Sequence, residues 1–223
     1  MGRKPIQKDR SRNEEKREKW IRECIKYFDR SGIKNATMDD VAELLDISKA
    51  TIYNHFKSKD EMVQTAVAML LNEIREYENI LSDRSLPYLM RYYKGMRYYA
   101  KKLTGISPRL VDDVKSGYPD LWNYIEMFRN QFSFVIGKYY EEGVTSGILK
   151  EFNISVLVGM DRWFLDALLN SDYLQQNDLT LDEAFDQYFK IKFDGAINSN
   201  TAEVFNLLRY EKKEAGEIEE DLM

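Results

Sequence analysis

Lys49, Ala50, Thr51, Tyr53, Asn54 and His55 fall within seven consecutive residues, and their side chains suit the edges and phosphates of nucleic acid better than they suit bond breaking. An Asn amide pairs bidentately with adenine, and a Thr or Ala methyl packs on the thymine methyl. Lys, Tyr and His suit phosphate oxygens. The small Ala50 lets a helix carrying these groups approach closely. At about 100° per residue, a helix over 49–56 turns Ile52 and Phe56 to one side and this polar set to the other. The expected division of labour puts Lys49 and Asn54 on bases. Thr37, Tyr53, His55 and Lys59 are expected on phosphates, with Ser48, Ala50 and Thr51 at the approaching end.

Other chemistries lack their residues. His55 is the single histidine and Cys24 the single cysteine, so a histidine-based acid–base site elsewhere, a zinc or copper sensor, or an internal disulfide cannot be assembled. No glycine pattern of a phosphate-binding loop occurs. Asp112-Asp113 reads as a solvated helix face. The sequence therefore argues against an enzyme and calls for no metal and no cofactor.

The elements that must position the polar set are legible around it. Thr37 can cap a helix with Asp40 in capping-box position, and Val41, Leu44 and Leu45 give that helix an apolar face. Asp46-Ile47-Ser48 breaks it, Ser48 caps the next helix (Lys49 to Phe56), and Ser58 with Glu61 opens another. Two short helices joined by a tight turn form a helix-turn-helix.

These residues resemble the DNA-binding domain of the tetracycline-repressor (TetR) family. The likeness rests on Phe28, Gly32, Ala36-Thr37, Asp40-Val41-Ala42, Ile47-Ser48, Thr51-Ile52-Tyr53, His55-Phe56 and Ser58-Lys59, and it covers roughly the first 70 residues. Asp46 stands where the family often has Gly; Asp tolerates the left-handed conformation better than most residues.

Helix formers dominate the 223 residues and no alternating β pattern stands out, so the fold is expected to be all-α. No apolar run approaches the length of a membrane span, and the basic N-terminus lacks the apolar segment of a secretory signal. With a lone cysteine, this fits a cytoplasmic protein. The net charge of −5 is uneven. Residues 1–60 hold 15 basic and 11 acidic groups, and the remainder 18 and 27, so a basic head precedes an acidic body. The expected organisation is a flexible basic arm (1–12), a three-helix head (13–60), a larger helical body (61–211) and a charged tail (212–223). Helix 1 is expected from about Glu14 to Ser31, helix 4 from Ser58 to about Leu81, and helices 5 to 7 from Leu86, Ser107 and Tyr118. Glu142–Leu149 resembles the corner that often follows helix 7 in the family, and helices 8 and 9 are expected over about 153–198.

For the body, the resemblance implies a small-molecule effector pocket and a homodimer paired through helices 8 and 9, with Phe164 and Phe189 as candidate contacts. The aromatic wealth of helices 5 and 7 suits such a pocket. Its candidate lining is Tyr92, Met96, Tyr99, Trp122, Phe128, Phe132, Met160, Asp161 and Trp163. Asp161 shares a face with Leu157, Phe164, Leu165 and Leu168, and an unpaired carboxylate there is costly to bury. It either pairs with an arginine (Arg162, Arg129 and Arg97 are candidates), reaches water, or receives a cationic effector group beside Tyr92, Tyr99 or Trp122. The function implied is a ligand-responsive repressor of double-stranded DNA bearing a palindromic operator. The alternative is an architectural or nucleoid-associated DNA-binding protein without an effector.

Overall fold

The computed structural model describes residues 6–169 and 171–197. The charged tail at 212–223 lies outside them. Among the described residues the helices are α1 (Ile6–Ser31), α2 (Met38–Leu44), α3 (Lys49–His55), α4 (Lys59–Ile74), α5 (Glu76–Ser82), α6 (Tyr88–Thr104), α7 (Pro108–Gly117), α8 (Pro119–Thr145), α9 (Ile154–Leu169), α10 (Ser171–Gln176) and α11 (Leu181–Ala196). The described β structure is a single bridge, Leu149 to Ile197. The fold is all-α, as expected. No described helix is long and apolar enough to cross a membrane.

The chain forms two compact units. The first joins residues 6–73 to Ile106–Glu126. Its core is Ile21, Cys24 and Phe28 of α1, Val41 and Ala42 of α2, Ile52 of α3, Phe56, and Met62, Val63 and Ala66 of α4. Leu44, expected in the apolar face of α2, is instead exposed. Val41, as expected, carries that face together with Met38 and Ala42. The caps follow the sequence closely. Thr37 and Asp40 form a full capping box, and the Ser48 hydroxyl accepts from the Thr51 amide. Asp46 takes the left-handed conformation at φ 51°, and Gly32 ends α1 at φ 83°.

The head unit also takes in α7, which sequence spacing had placed with the body. Two aspartates account for this. Asp113, buried on α7, accepts from the Ile33 amide at 2.7 Å just past the end of α1. Asp29 of α1 accepts from the Ser107 amide at 2.7 Å, while the Ser107 hydroxyl donates to the Asp29 carbonyl at 3.0 Å. Asp113 is thus a partnered buried carboxylate rather than part of a solvated face, as burial of such a group requires. α1 itself begins at Ile6, so its helical backbone includes 6–12, read from sequence as an arm.

The second unit joins Ile74–Gly105 to the chain from Met127 onward. The expected single helix from Ser58 to Leu81 is interrupted at Arg75, where the Glu78 amide turns back to the Arg75 carbonyl at 2.9 Å. This tight turn starts α5, which buries Tyr77 and Leu81. The corner after α8 forms as the glycines suggest: Gly147 has φ 75°, and the Lys150 amide donates to the Ala196 carbonyl at 2.8 Å. α9 buries Leu157, Asp161, Leu165 and Leu168, and α11 opens with the Thr180–Glu183 capping box and buries Phe185, Phe189, Lys192 and Phe193.

Candidate functional site

On α3 the helical period separates two faces. Ile52 is fully buried, and Phe56 follows it into the core. Ser48, Lys49, Ala50, Tyr53 and Asn54 are exposed, with Thr51 and His55 half-buried. Tyr53 is 51% exposed although it is a large aromatic on a short helix. His55 is held from behind: its ring meets Trp20 of α1 edge-on, centroids 4.8 Å apart. This leaves a convex strip of small, amide, hydroxyl and cationic groups.

The lysines around this strip are not equivalent. Lys49 reaches the Asp39 carboxylate at 2.5 Å, both side chains being exposed. That hydrogen bond and the charge of Asp39 raise the Lys49 pKa. Lys59, expected on phosphate, donates to the Ile33 and Ala36 carbonyls at 3.1 and 3.0 Å, tying the start of α4 to the α1–α2 connection. Thr37 is exposed with its hydroxyl in the capping box, where it lowers the pKa of Asp40. Cys24 lies in the core of the same unit, and burial pushes its thiol up to about 12.

The body holds a second concentration of polar chemistry, fully inside. Asp161 of α9 and Lys192 of α11 pair at 2.5 Å, with side chains essentially inaccessible. Tyr140 of α8 and Tyr188 of α11 donate to the Asp161 carboxylate at 2.6 and 2.7 Å, and Tyr92 of α6 donates to it as well. The ammonium also donates to the Tyr140 hydroxyl at 2.6 Å and the Leu157 carbonyl at 3.2 Å. Burial lowers the Lys192 pKa, partly offset by Asp161. Burial, then the Asp161 charge, raises those of Tyr92 and Tyr140. Breaking one side of such a pair typically costs about 3–5 kcal/mol.

The family model described as bacterial regulatory proteins, tetR family, matches residues 24–66, the span from mid-α1 into α4 that carries this strip. Through this region the chain is similar to the tetR family of transcriptional regulators. It is 22% identical over 161 residues to the biofilm operon icaADBC negative transcriptional regulator IcaR of Staphylococcus aureus, covering 70% of this chain and 87% of that one. In structure it resembles a TetR-family regulator from Marinobacter aquaeolei, with TM-score 0.66 and 19% identity over 87% of this chain and 97% of the other. It also resembles the ketosteroid transcriptional regulator KstR2 of Mycobacterium tuberculosis, with TM-score 0.62 and 18% identity over 82% and 96%. All three of these relatives are transcriptional regulators.

Of the nine residues expected to line an effector pocket, eight lie in the second unit. Tyr99 and Phe132 pack at 4.7 Å, each also touching Tyr77, and Phe128 lies nearby in sequence with the Arg75 guanidinium 5.5 Å from its ring. Tyr92 and Asp161 belong to the buried polar cluster. Met96 is buried and Met160 half-buried. Trp163 is 72% exposed. Two residues on from buried Asp161, it is turned away by about 200°. Trp122 belongs to the first unit, where the Lys115 ammonium lies 5.5 Å from its ring.

The arginines considered for Asp161 go elsewhere: Arg129 pairs with Asp166 at 2.5 Å and Arg97 with Asp182 at 2.8 Å. Arg162 lines a surface groove between α8 and α9. Lys192, which does pair with Asp161, was missed along with Tyr140 and Tyr188. A signal was present. Lys192 sits in the stripe of Phe185, Phe189 and Phe193, as Asp161 sits in the stripe of leucines on α9. Two opposite charges, each alone in an apolar stripe, are natural partners.

Proposed function

We propose that this regulator is a homodimeric repressor that leaves its operator when a small molecule binds the body. The observation that carries the DNA half is the exposed polar strip Lys49–His55 opposite buried Ile52. A recognition helix presents its N-terminal residues to the major groove in this way, with Lys49 and Asn54 on base edges and Tyr53 and His55 on backbone. Two copies would read half-sites about 34–36 Å apart, or a related spacing, so the operator is a near-palindrome. The role of IcaR as a negative transcriptional regulator supports repression over activation.

A second copy is the proposed occupant of the outer face of α9 and α11. Val156 (57% exposed), Trp163 and Ile191 (72% exposed) present large apolar side chains there. Beside them runs a groove of about 520 Å³ between α8 and α9, lined by Phe134, Gly137, Ile154, Val158 and Gly159 among others. An isologous contact needs a protruding group and a recess on one patch, and Trp163 with this groove supplies both. The earlier candidates Phe164 and Phe189 are not on that surface. Phe189 is fully buried, and Phe164 stacks on Tyr188 at 4.1 Å.

Ligand response requires differential affinity of the effector for the DNA-bound and released states. Selection of bound sequences from a random duplex pool, with and without a panel of small molecules, tests the whole reading. The expected result is a two-fold symmetric consensus that is lost with one class of compound. A consensus with no dyad, or one that no compound affects, would overturn the corresponding half.

A further inference from the structure

The groups around the Lys192 ammonium make up a complete recognition site for a primary ammonium ion, and the chain's own side chain fills it. Its oxygen partners are Asp161 Oδ1 at 2.5 Å, the Tyr140 hydroxyl at 2.6 Å, the Tyr188 hydroxyl at 3.1 Å, the Leu157 carbonyl at 3.2 Å and the Tyr92 hydroxyl at 3.3 Å. Three aromatic rings surround it, with centroids at 4.8 Å (Tyr140), 5.2 Å (Tyr92) and 5.3 Å (Tyr188). A carboxylate at the base and aromatic faces around it are what an ammonium ligand requires. The site is contributed by four helices, α6, α8, α9 and α11, so it is set by tertiary packing and not by one helix face.

We infer that Asp161, Tyr92, Tyr140 and Tyr188 form a binding site for a primary alkylammonium group, held in the ligand-free regulator by Lys192, and that a ligand of this class takes its place there. The inference deepens the ligand-responsive reading and rests on it for the consequence at DNA. The geometry sets the selectivity. Three N–H protons find strong acceptors at close range, and an N-methyl group has no room where oxygens approach to 2.5 and 2.6 Å. Primary amines are therefore taken in preference to quaternary ones. Tyr188 is the member of the site that is only part-buried, and its ring lies flat on Phe164. Displacement of this stacked pair is the route by which the ligand's ammonium enters and that of Lys192 leaves.

The test vacates the site. Lys192→Ala keeps Cβ and removes three methylenes and the ammonium, which n-propylammonium replaces atom for atom. The thermal midpoint of this variant is expected to rise with the logarithm of n-propylammonium concentration above Kd, as for any ligand that binds only the folded state. Neither n-propanol nor tetramethylammonium should reproduce the rise, and Asp161→Asn/Lys192→Ala should lack it. If n-propanol raises the midpoint as much, or the double variant responds equally, the cavity is merely apolar and the inference is overturned. Should Lys192→Ala fail to fold alone, its refolding yield from urea with n-propylammonium against n-propanol gives the same decision. The wild-type regulator is then challenged with primary alkylamines of increasing length while on operator DNA. An ammonium-specific midpoint shift in the variant without DNA release from wild type leaves the site standing and removes its role in induction. Absence of the shift removes the site whatever happens at DNA.

Discussion

Tyr88 of α6 and Tyr139 of α8 exchange hydrogen bonds: each hydroxyl donates to the other's backbone carbonyl, at 2.8 and 2.7 Å, and their rings stack at 4.2 Å. The reciprocal pair fixes the register of the two helices, because neither ring can shift without breaking both bonds. Burial raises the pKa of both hydroxyls, so both remain donors across the neutral range.

The close approach depends on Gly143. A Cβ there would lie 2.2 Å from the Tyr88 hydroxyl and 2.7 Å from Leu149. The Tyr88 end is not free to swing, since its hydroxyl is bonded and its ring stacked. Gly143→Ala is expected to destabilise by about 1–3 kcal/mol through overpacking. Gly195→Ala in α11, where nothing lies within 4 Å, is the control of opposite sign. It should stabilise by up to about 1 kcal/mol through helix propensity. Urea denaturation followed by circular dichroism reads both.

Lys49 and Lys59 should separate by assay. Lys59→Ala removes two bonds to carbonyls within the head. It should cost about 1–2 kcal/mol of stability and change the salt slope of DNA binding little. Lys49→Ala should leave stability alone and flatten that slope by about one unit. Asp39→Asn, by freeing Lys49, should tighten binding. Fluorescence anisotropy across a salt series, beside thermal melts, distinguishes them; a full unit of slope lost with Lys59→Ala would return it to the phosphate contacts.

How far the sequence carried this fold varied with how local the cause was. The caps at Thr37, Ser48 and Thr180, the turn at Asp46 and the corner at Gly147 were readable because each rests on residues within a few positions. The inclusion of α7 in the head was not, because it depends on Asp113 meeting the Ile33 amide 80 residues away. The polar strip of α3 was legible from its period alone. Apolar stripes were less exact: they give the buried face of a helix but not its rotation to within one residue, which put Leu44 in a core. The Asp161–Lys192 pair spans two helices and 31 positions, and only the mismatch of each charge with its own stripe hinted at it.

Alkaline conditions should unfold the regulator sharply. Tyr92, Tyr139 and Tyr140 have pKa values raised well above the ordinary 10.0, chiefly by burial. A raised acid binds its proton more tightly when folded. Its contribution is therefore fully present below the unfolded value near 10 and falls as pH rises past it. Cys24, raised from 9.0 to about 12, adds the same sign. Tyrosinate absorbance should rise in more than one stage. A buried set should follow only together with loss of helical signal. Titration of all 15 tyrosines as one class with the helices intact would contradict the buried placement.

The proposed dimer face gives the sharpest contrast between neighbours. Trp163 and Phe164 are adjacent in sequence, yet Trp163 is open while Phe164 packs against Tyr188 and Phe185. Trp163→Glu replaces an exposed ring and should leave the fold of the subunit intact. Within a dimer the same carboxylate would sit in the apolar contact without a partner, a cost of several kcal/mol counted twice across a two-fold axis. The expected product is a folded monomer whose helical signal and melting cooperativity match an isolated subunit, and whose affinity for a palindrome falls toward that for a single half-site. Ile191→Glu should act in the same direction. Phe189→Glu should instead unfold the body, since that side chain is fully buried. Analytical ultracentrifugation of the three variants separates these outcomes. If Trp163→Glu and Ile191→Glu both sediment as wild-type dimers, the contact does not lie on the outer face of α9 and α11, and the exposed Met127 and Phe134 of α8 become the surface to substitute next.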